Sequence, residues 1–315
     1  MAAGYVLSVI FGTPQFLNAE RYLKILCGSL APKISAKYEN SYEGQRTAGT
    51  VFLILMLLLT VVPAALILIL LYCFFPTGAI VLDALLCWSV IDIKGKTRQA
   101  SAVSRAVKAN NPEKAARLAS KFSGVDCTGF ESENSVRATV EAVADRTVDS
   151  AAAPLFYMFL LSGVGALFWK ASDAAADMSE NSGLVSEAFA ENLLKLKNAL
   201  CFIPGKLASV IMLVDALYLK LNTRTAEKTL LRDGKKCRRA CYGGCRAVLA
   251  GILGISLLPE EVYSEQFLRT YTIGETLKEP EPNDIVLSNQ LMIGTAFIIM
   301  ALFFIIKLTI GIYVG

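Results

Sequence analysis

Val140-Glu-Ala-Val-Ala-Asp-Arg-Thr-Val-Asp-Ser-Ala-Ala-Ala-Pro-Leu-Phe-Tyr157 joins a charged, helix-forming stretch to an apolar one, and its spacing sets how the chain is read. Glu141, Asp145 and Asp149 recur every four residues, so on a helix they share one face, with Arg137 one turn earlier. Val140, Val143, Ala144 and Val148 fall mainly off that stripe and are expected to pack inward. Two readings of the stripe stand side by side. It is a solvated face laced by Arg–Glu pairs, or a set of carboxylates beside a bilayer that binds magnesium or handles protons in group transfer. On an unbroken helix Glu141 and Asp149 lie roughly 12 Å apart along the axis, too far to share one ion directly.

Working outward, the rest of the chain is that of a membrane protein. Hydrophobic residues make up 54% of it, and the mean hydropathy is +0.50, more apolar than an ordinary soluble domain. Thr50–Tyr72 and Leu287–Ile306 are uncharged and long enough to cross the hydrocarbon core, the first interrupted only by Pro63. Ala79–Ile91 is shorter and carries Asp83, so spans are expected near 50–72, 79–91 and 287–306. Ala151–Trp169, with Gly163 and Gly165, and Leu200–Leu219, with Lys206 and Asp215, are possible spans or re-entrant segments. The Tyr5–Phe11 run is too short to span and lacks the pattern of a signal peptide.

Lys and Arg concentrate in 21–46, 94–146 and 220–246, whereas 173–191 holds five acids and no base. The positive-inside rule puts the basic segments in the cytoplasm. Residues 94–146 are rich in helix formers, and Pro112 opens a new helix after Asn110-Asn111. No strand-and-turn rhythm and no internal repeat is present. The expected class is therefore all-α: a polytopic integral membrane helical protein, one domain over 1–315, with cytoplasmic helical excursions at 94–146 and 220–286. Glu279-Pro-Glu-Pro-Asn283 reads as an acidic linker before the last span.

The chain has no histidine, which excludes Ser-His-Asp and Cys-His hydrolases and His-ligated zinc. It has no Gly-x-x-x-x-Gly-Lys-Ser/Thr loop, and Gly163-Val-Gly165 reads as helix packing or a bend. Cys237, Cys241 and Cys245 share a helix face, but their spacing matches no familiar metal site. They are expected to be small buried residues, with no disulfide in a cytoplasmic segment. Nine Lys or Arg lie between 220 and 246, a stretch suited to anionic lipid headgroups or a polyanionic substrate. A net charge of only +4, with no recognition motif, argues against nucleic acid.

The stretch at 140–157 resembles the signature of the adenosylcobinamide-phosphate synthase family of cobalamin biosynthesis, the CobD/CbiB-type membrane proteins. There a Val-Glu-Ser-Val-Ala-Glu-Asn-x-x-Asp run leads to Ala-Pro-Leu-Phe-Tyr. Gly12-Thr-Pro14, Gln45-Arg-Thr-Ala-Gly49, Asn110–Arg117 with Gly124-Val-Asp126, Phe168–Ala171, Phe202–Leu207 and Gly243–Leu253 are similar to further family motifs, in the same order. The resemblance implies a ligase that joins an aminopropanol, usually as its O-phosphate, to adenosylcobyric acid through an amide bond. ATP and Mg2+ would serve as co-substrate, with no tightly bound cofactor. It implies catalytic Glu141, Asp149 and Asp145, with Asp149 and Glu141 as magnesium ligands. Substrate and phosphates would be bound by Arg46, Asp126, Arg146, Lys170 and Lys206. Partners would be the corrinoid, aminopropanol phosphate and membrane lipids, at a multi-pass site in the cell membrane whose active face is cytoplasmic. Keeping Lys170 on the ATP side favours re-entrant or broken helices at 151–169 and 200–219. Oligomeric state is left open.

The chain also departs from the family pattern. Asp145-Arg146 replaces Glu-Asn, and Asp173-Ala-Ala-Ala-Asp-Met178 stands for Asn-Thr-Leu-Asp-Ser-Met. Lys197-Asn198 stands for Asp-Asp, Cys201 for Asn, and Arg239-Ala-Cys-Tyr-Gly243 for Ser-Pro-Asn-x-Gly. Thr13 replaces an early Asp, and a following His is missing. Arg146 is expected near Asp145 or Asp149, or facing phosphate. A second reading is thus a catalytically lapsed or repurposed relative that binds a corrinoid, lipid or partner protein. A third is a transporter or scaffold using Asp83, Lys206 and Asp215, which no inverted repeat supports.

Overall fold

The computed structural model describes residues 1–181, 183–237, 239–257 and 272–314; Arg238 of the basic stretch and most of 258–286 before Thr272 lie outside the described residues. Among the described residues twelve α-helices follow one another: α1 (Ala2–Phe11), α2 (Ala19–Ser35), α3 (Tyr42–Phe74), α4 (Pro76–Val90), α5 (Ile93–Lys108), α6 (Pro112–Ser123), α7 (Ser132–Thr147), α8 (Ala153–Asn181), α9 (Glu187–Tyr218), α10 (Thr223–Asp233), α11 (Ala240–Leu253) and α12 (Pro282–Val314). A π-helical turn, Val148–Ala152, separates α7 from α8. No strand occurs among the described residues. Among the described residues, five helical runs are long and apolar enough to cross a bilayer: Tyr42–Phe74, Pro76–Lys108, Ser132–Ser179, Glu187–Tyr218 and Pro282–Ile310. The protein is thus an all-α, polytopic membrane protein, and each expected span falls within one of these runs.

The chain divides into two compact units, which correspond to no boundary expected from the sequence. The first comprises Met1–Asp92, Ala153–Cys201 and Phe303–Gly315. Its core is built where α2, α3 and α8 meet, from Leu23, Cys27, Phe52, Met56 and Phe189 with alanines 171, 174 and 175. Small residues on α8 let the neighbouring helices approach closely. α3 also meets α9 closely: a Cβ on Gly49 would stand 2.0 Å from the Phe189 carbonyl oxygen. The far side of α3 keeps Ile54, Leu58, Leu66 and Leu70 exposed, as a lipid-facing helix requires.

Within this unit α8 is broken. Leu161 and Ser162 leave helical geometry, with Ser162 at φ 54°, a left-handed conformation that is uncommon for a residue with a side chain. Asp83 on α4 stabilises the break. It accepts hydrogen bonds from Ser162 Oγ at 2.5 Å and from the Gly163 amide at 2.8 Å, so a freed backbone donor is not left bare in an apolar setting. The break thus falls at Leu161–Ser162, immediately before the glycine pair. α9, by contrast, continues through Pro204.

The second unit comprises Ile93–Ala152 and Phe202–Leu302. Residues 94–146 are helical, as their composition predicts, in α5, α6 and α7. Asn111 caps α6 by accepting from the Lys114 amide at 3.0 Å, with Pro112 in the first turn. The linker before α12 is an N-terminal cap. Asp284 accepts from the Glu281 amide at 2.8 Å and pairs with Lys278 at 2.6 Å.

Candidate functional site

In the second unit the carboxylate stripe of α7 faces α11. Val140, Val143, Ala144 and Val148 are fully buried, but so, nearly, are Glu141 and Asp149, at 6% and 2% exposure. The stripe is therefore no solvated face. Its counterpart is Tyr242 and Arg246, four residues apart on α11 and so on one side of that helix. Arg246 forms a bidentate pair with Asp145, Nε to Oδ1 and Nη2 to Oδ2, both at 2.7 Å, and its Nη1 meets Glu141 Oε1. Burial alone would lower the basicity of Arg246; Asp145 and Glu141 outweigh it and hold the guanidinium charged.

One turn on, Asp149 sits in the π-helical turn. Its two oxygens accept from the Tyr242 hydroxyl at 2.8 and 3.0 Å, and Arg146 Nη1 lies 3.8 Å from Oδ2. Arg146 thus takes the position expected for it, beside Asp149. The Tyr242 ring is flanked by the guanidiniums of Arg239 and Arg246, at 5.9 and 6.0 Å. α11 is pressed onto α9: a Cβ on Gly205 would stand 2.2 Å from the Cys241 carbonyl oxygen. A π turn inserts one residue into a helix and is a frequent device at functional sites. Here it follows directly on the stripe and carries its last carboxylate.

The other expected site residues of this unit lie elsewhere in it. Asp126 is exposed and closes a turn, accepting from the amide and hydroxyl of Thr128, which hold its carboxyl below the usual range. Lys206 is exposed on α9, 6.0 Å from the Phe202 ring. Cys237 and Cys245 are buried free thiols, with burial pushing the Cys245 thiol up. Cys241 is disulfide-bonded, a correction to the expectation of three plain thiols.

In the first unit Lys170 belongs to an alternating chain of charges. Lys24 pairs with Glu20 at 2.8 Å, Glu20 with Lys170 at 3.0 Å, and Lys170 with Asp173 at 3.0 Å. Asp173 then pairs with Lys197 at 2.7 Å, and Lys197 with Asp177 at 2.6 Å. Arg46, half-buried at the start of α3, lies 3.4 Å from Glu191, which also accepts from the Tyr42 hydroxyl at 2.6 Å.

Sequence reasoning did not single out Arg246 or Tyr242 as site residues. Arg246 was counted in the basic stretch suited to lipid, whereas its guanidinium is committed to α7. The available signal was local: a tyrosine and an arginine four apart in a helix otherwise made of small and apolar residues.

A family model described as CobD/Cbib protein matches residues 1–292. Relatives named Cobalamin biosynthesis protein CobD include that of Geobacter metallireducens, 25% identical over 280 residues, which cover 87% of this chain and 85% of the relative. That of Desulfotalea psychrophila is 26% identical over 275 residues, covering 82% and 83%. That of Clostridium perfringens is 26% identical over 232 residues, covering 74% of each. No solved structure matches the chain.

Proposed function

The chain belongs to the CobD/Cbib protein family, and on that premise we propose that it works in cobalamin biosynthesis as a ligase, joining an aminopropanol or its O-phosphate to adenosylcobyric acid. In this reading ATP activates the propionate carboxylate. The aminopropanol, entering as its ammonium form, gives up two protons to base or solvent as its nitrogen forms the new C–N bond, and the activated oxygen leaves with its phosphoryl group. The observation that carries the proposal is Asp149: a buried carboxylate on a π turn, oriented by a tyrosine hydroxyl, at the end of the segment the family resemblance rests on.

Magnesium fits this carboxylate. It is a hard cation that takes one or two protein carboxylates together with phosphate oxygens, and it would neutralise charge on the triphosphate. Tyr242 and Arg146 fix where the Asp149 oxygens point. The Glu141–Arg246–Asp145 triad holds α11 to α7 and so keeps Tyr242 in place. This shifts Glu141 and Asp145 from acid–base work toward positioning.

The test is direct. Purified protein is given ATP, magnesium, adenosylcobyric acid and aminopropanol phosphate, and the amide product is read by mass spectrometry. Product that requires all four sustains the proposal. No product, with the corrinoid still bound, favours a relative that has lost catalysis.

A further inference from the structure

α9 ends as a membrane helix should. Ile203, Val210, Val214 and Leu217 lie along one side of it at 50–62% exposure, and Tyr218 at its end is 84% exposed. This is the pattern of a lipid-facing stripe that stops at an interfacial aromatic residue. Only four residues, 219–222, separate it from α10, so α10 begins within roughly 14 Å of that boundary.

α10 is amphipathic. Ala226, Thr229 and Asp233 are buried, and Gly251 of α11 lies so close that a Cβ there would stand 2.6 Å from the Ala226 Cα. The opposite face carries Arg224, Lys228 and Leu231, spaced four and three apart, with Lys235 just past the helix end. All four are exposed, Leu231 at 78%. None of the three cations has an ion-pair partner among the described residues, and Glu227 is the exposed acid beside them. A large apolar side chain held among unpaired cations next to the end of a span is the arrangement of a helix that lies in the bilayer interface.

We infer that the exposed face of α10 docks on the anionic phospholipid headgroups of the bilayer that α9 enters, with Leu231 reaching between them. Charge complementarity favours this occupant over zwitterionic lipid, and the position of α9 supplies the surface without a partner protein. Docking of α10 is independent of the ligase chemistry: neither the stripe nor Leu231 belongs to the Asp149 centre.

Hydrogen exchange on the full chain, reconstituted in nanodiscs, tests it. With phosphatidylcholine alone, α10 amides should exchange quickly. With phosphatidylglycerol added, they should slow by on the order of 100-fold at low salt, because three cations act together at an anionic surface. High salt should erase the difference. Replacing Arg224, Lys228 and Lys235 together by Gln should remove the lipid dependence, and Leu231→Ser should remove part of it, with exchange in α12 unchanged as the control for folding. Equal exchange of wild-type α10 in the two lipids overturns the proposal. So does equal protection in phosphatidylcholine nanodiscs on adding inorganic phosphate, which would point instead to an ion in the cavity of about 240 Å3 beside Lys228 and Arg232.

Discussion

Lys197 Nζ lies 2.7 Å from Asp173 Oδ1, and each side chain is 2% exposed. The two residues stand at positions where the family resemblance leads one to expect an acid and an amide, respectively. Taken singly, one substitution adds a charge to the core and the other reverses one; taken together, they form a pair. What reads in one dimension as two lost polar positions is one ion pair between α8 and α9.

Removing both partners should therefore cost less than the sum of removing each alone. Asp173→Asn or Lys197→Met alone should destabilise the protein by roughly 2 kcal/mol, because a buried charge loses one of its two partners, Lys197 keeping Asp177 and Asp173 keeping Lys170. The double variant should recover at least about 1 kcal/mol of that sum. Thermal unfolding in detergent reads the cycle, and strict additivity would mean that the pair is not coupled.

Arg246 answers to two carboxylates. Arg246→Met should cost roughly 3–5 kcal/mol, as it strands Glu141 and Asp145 in a buried setting. Arg246→Lys should fall between, keeping the charge but losing the bidentate fork to Asp145. An unfolding temperature unchanged in the methionine variant would show that the triad does not hold α11 to α7.

Catalysis should separate Asp149 from its supports. Asp149→Asn is expected to lower turnover by about two decades or more, and Tyr242→Phe by about one, if the carboxylate acts in the transition state and the hydroxyl orients it. Both changes nearly conserve volume, so both variants should fold. Full activity in Asp149→Asn would remove this carboxylate from the mechanism.

A pH dependence follows from Asp233 at the end of α10. Burial pushes its carboxyl up, but hydrogen bonds from Arg232, Lys236 and the Gly274 amide outweigh burial and hold it at about 2. A folded value below the unfolded one of 3.8 means that the carboxylate contributes its stability above about pH 4. It loses that stability as pH falls through about 2, for roughly 2 kcal/mol. Unfolding curves of wild type and Asp233→Asn should therefore converge toward pH 2. A constant gap across that range would show that the carboxylate is not the group responsible.

The spans were legible because hydrocarbon imposes a composition: Thr50–Tyr72 and Leu287–Ile306 carry no charge and fall inside helices long and apolar enough to cross. The stripe at 141, 145 and 149 was legible because helical periodicity is local. What it faces was not. Arg246 lies 101 residues from Asp145, and periodicity carries no information across that distance. A basic residue near a membrane reads as lipid-facing until a buried acid is found opposite it. The π turn was equally hidden, since no residue in Val148–Ala152 marks it. On sequence Asp83 reads as a charge in a short span or as part of a transport pathway; its place beside the break in α8 is visible only in the fold.

The interrupted helix α8 also imposes an order on assembly. A broken segment entering hydrocarbon exposes donors that lipid does not accept, and here the acceptor for the Gly163 amide is a side chain 80 positions earlier in the chain. α4 leaves the ribosome first, so its carboxylate is already in the bilayer when the interruption arrives. Relocating α4 behind α8 by circular permutation would leave every contact of the finished fold possible, yet the broken segment would wait unsolvated for its cap. The protein would then fail during insertion rather than in its final state.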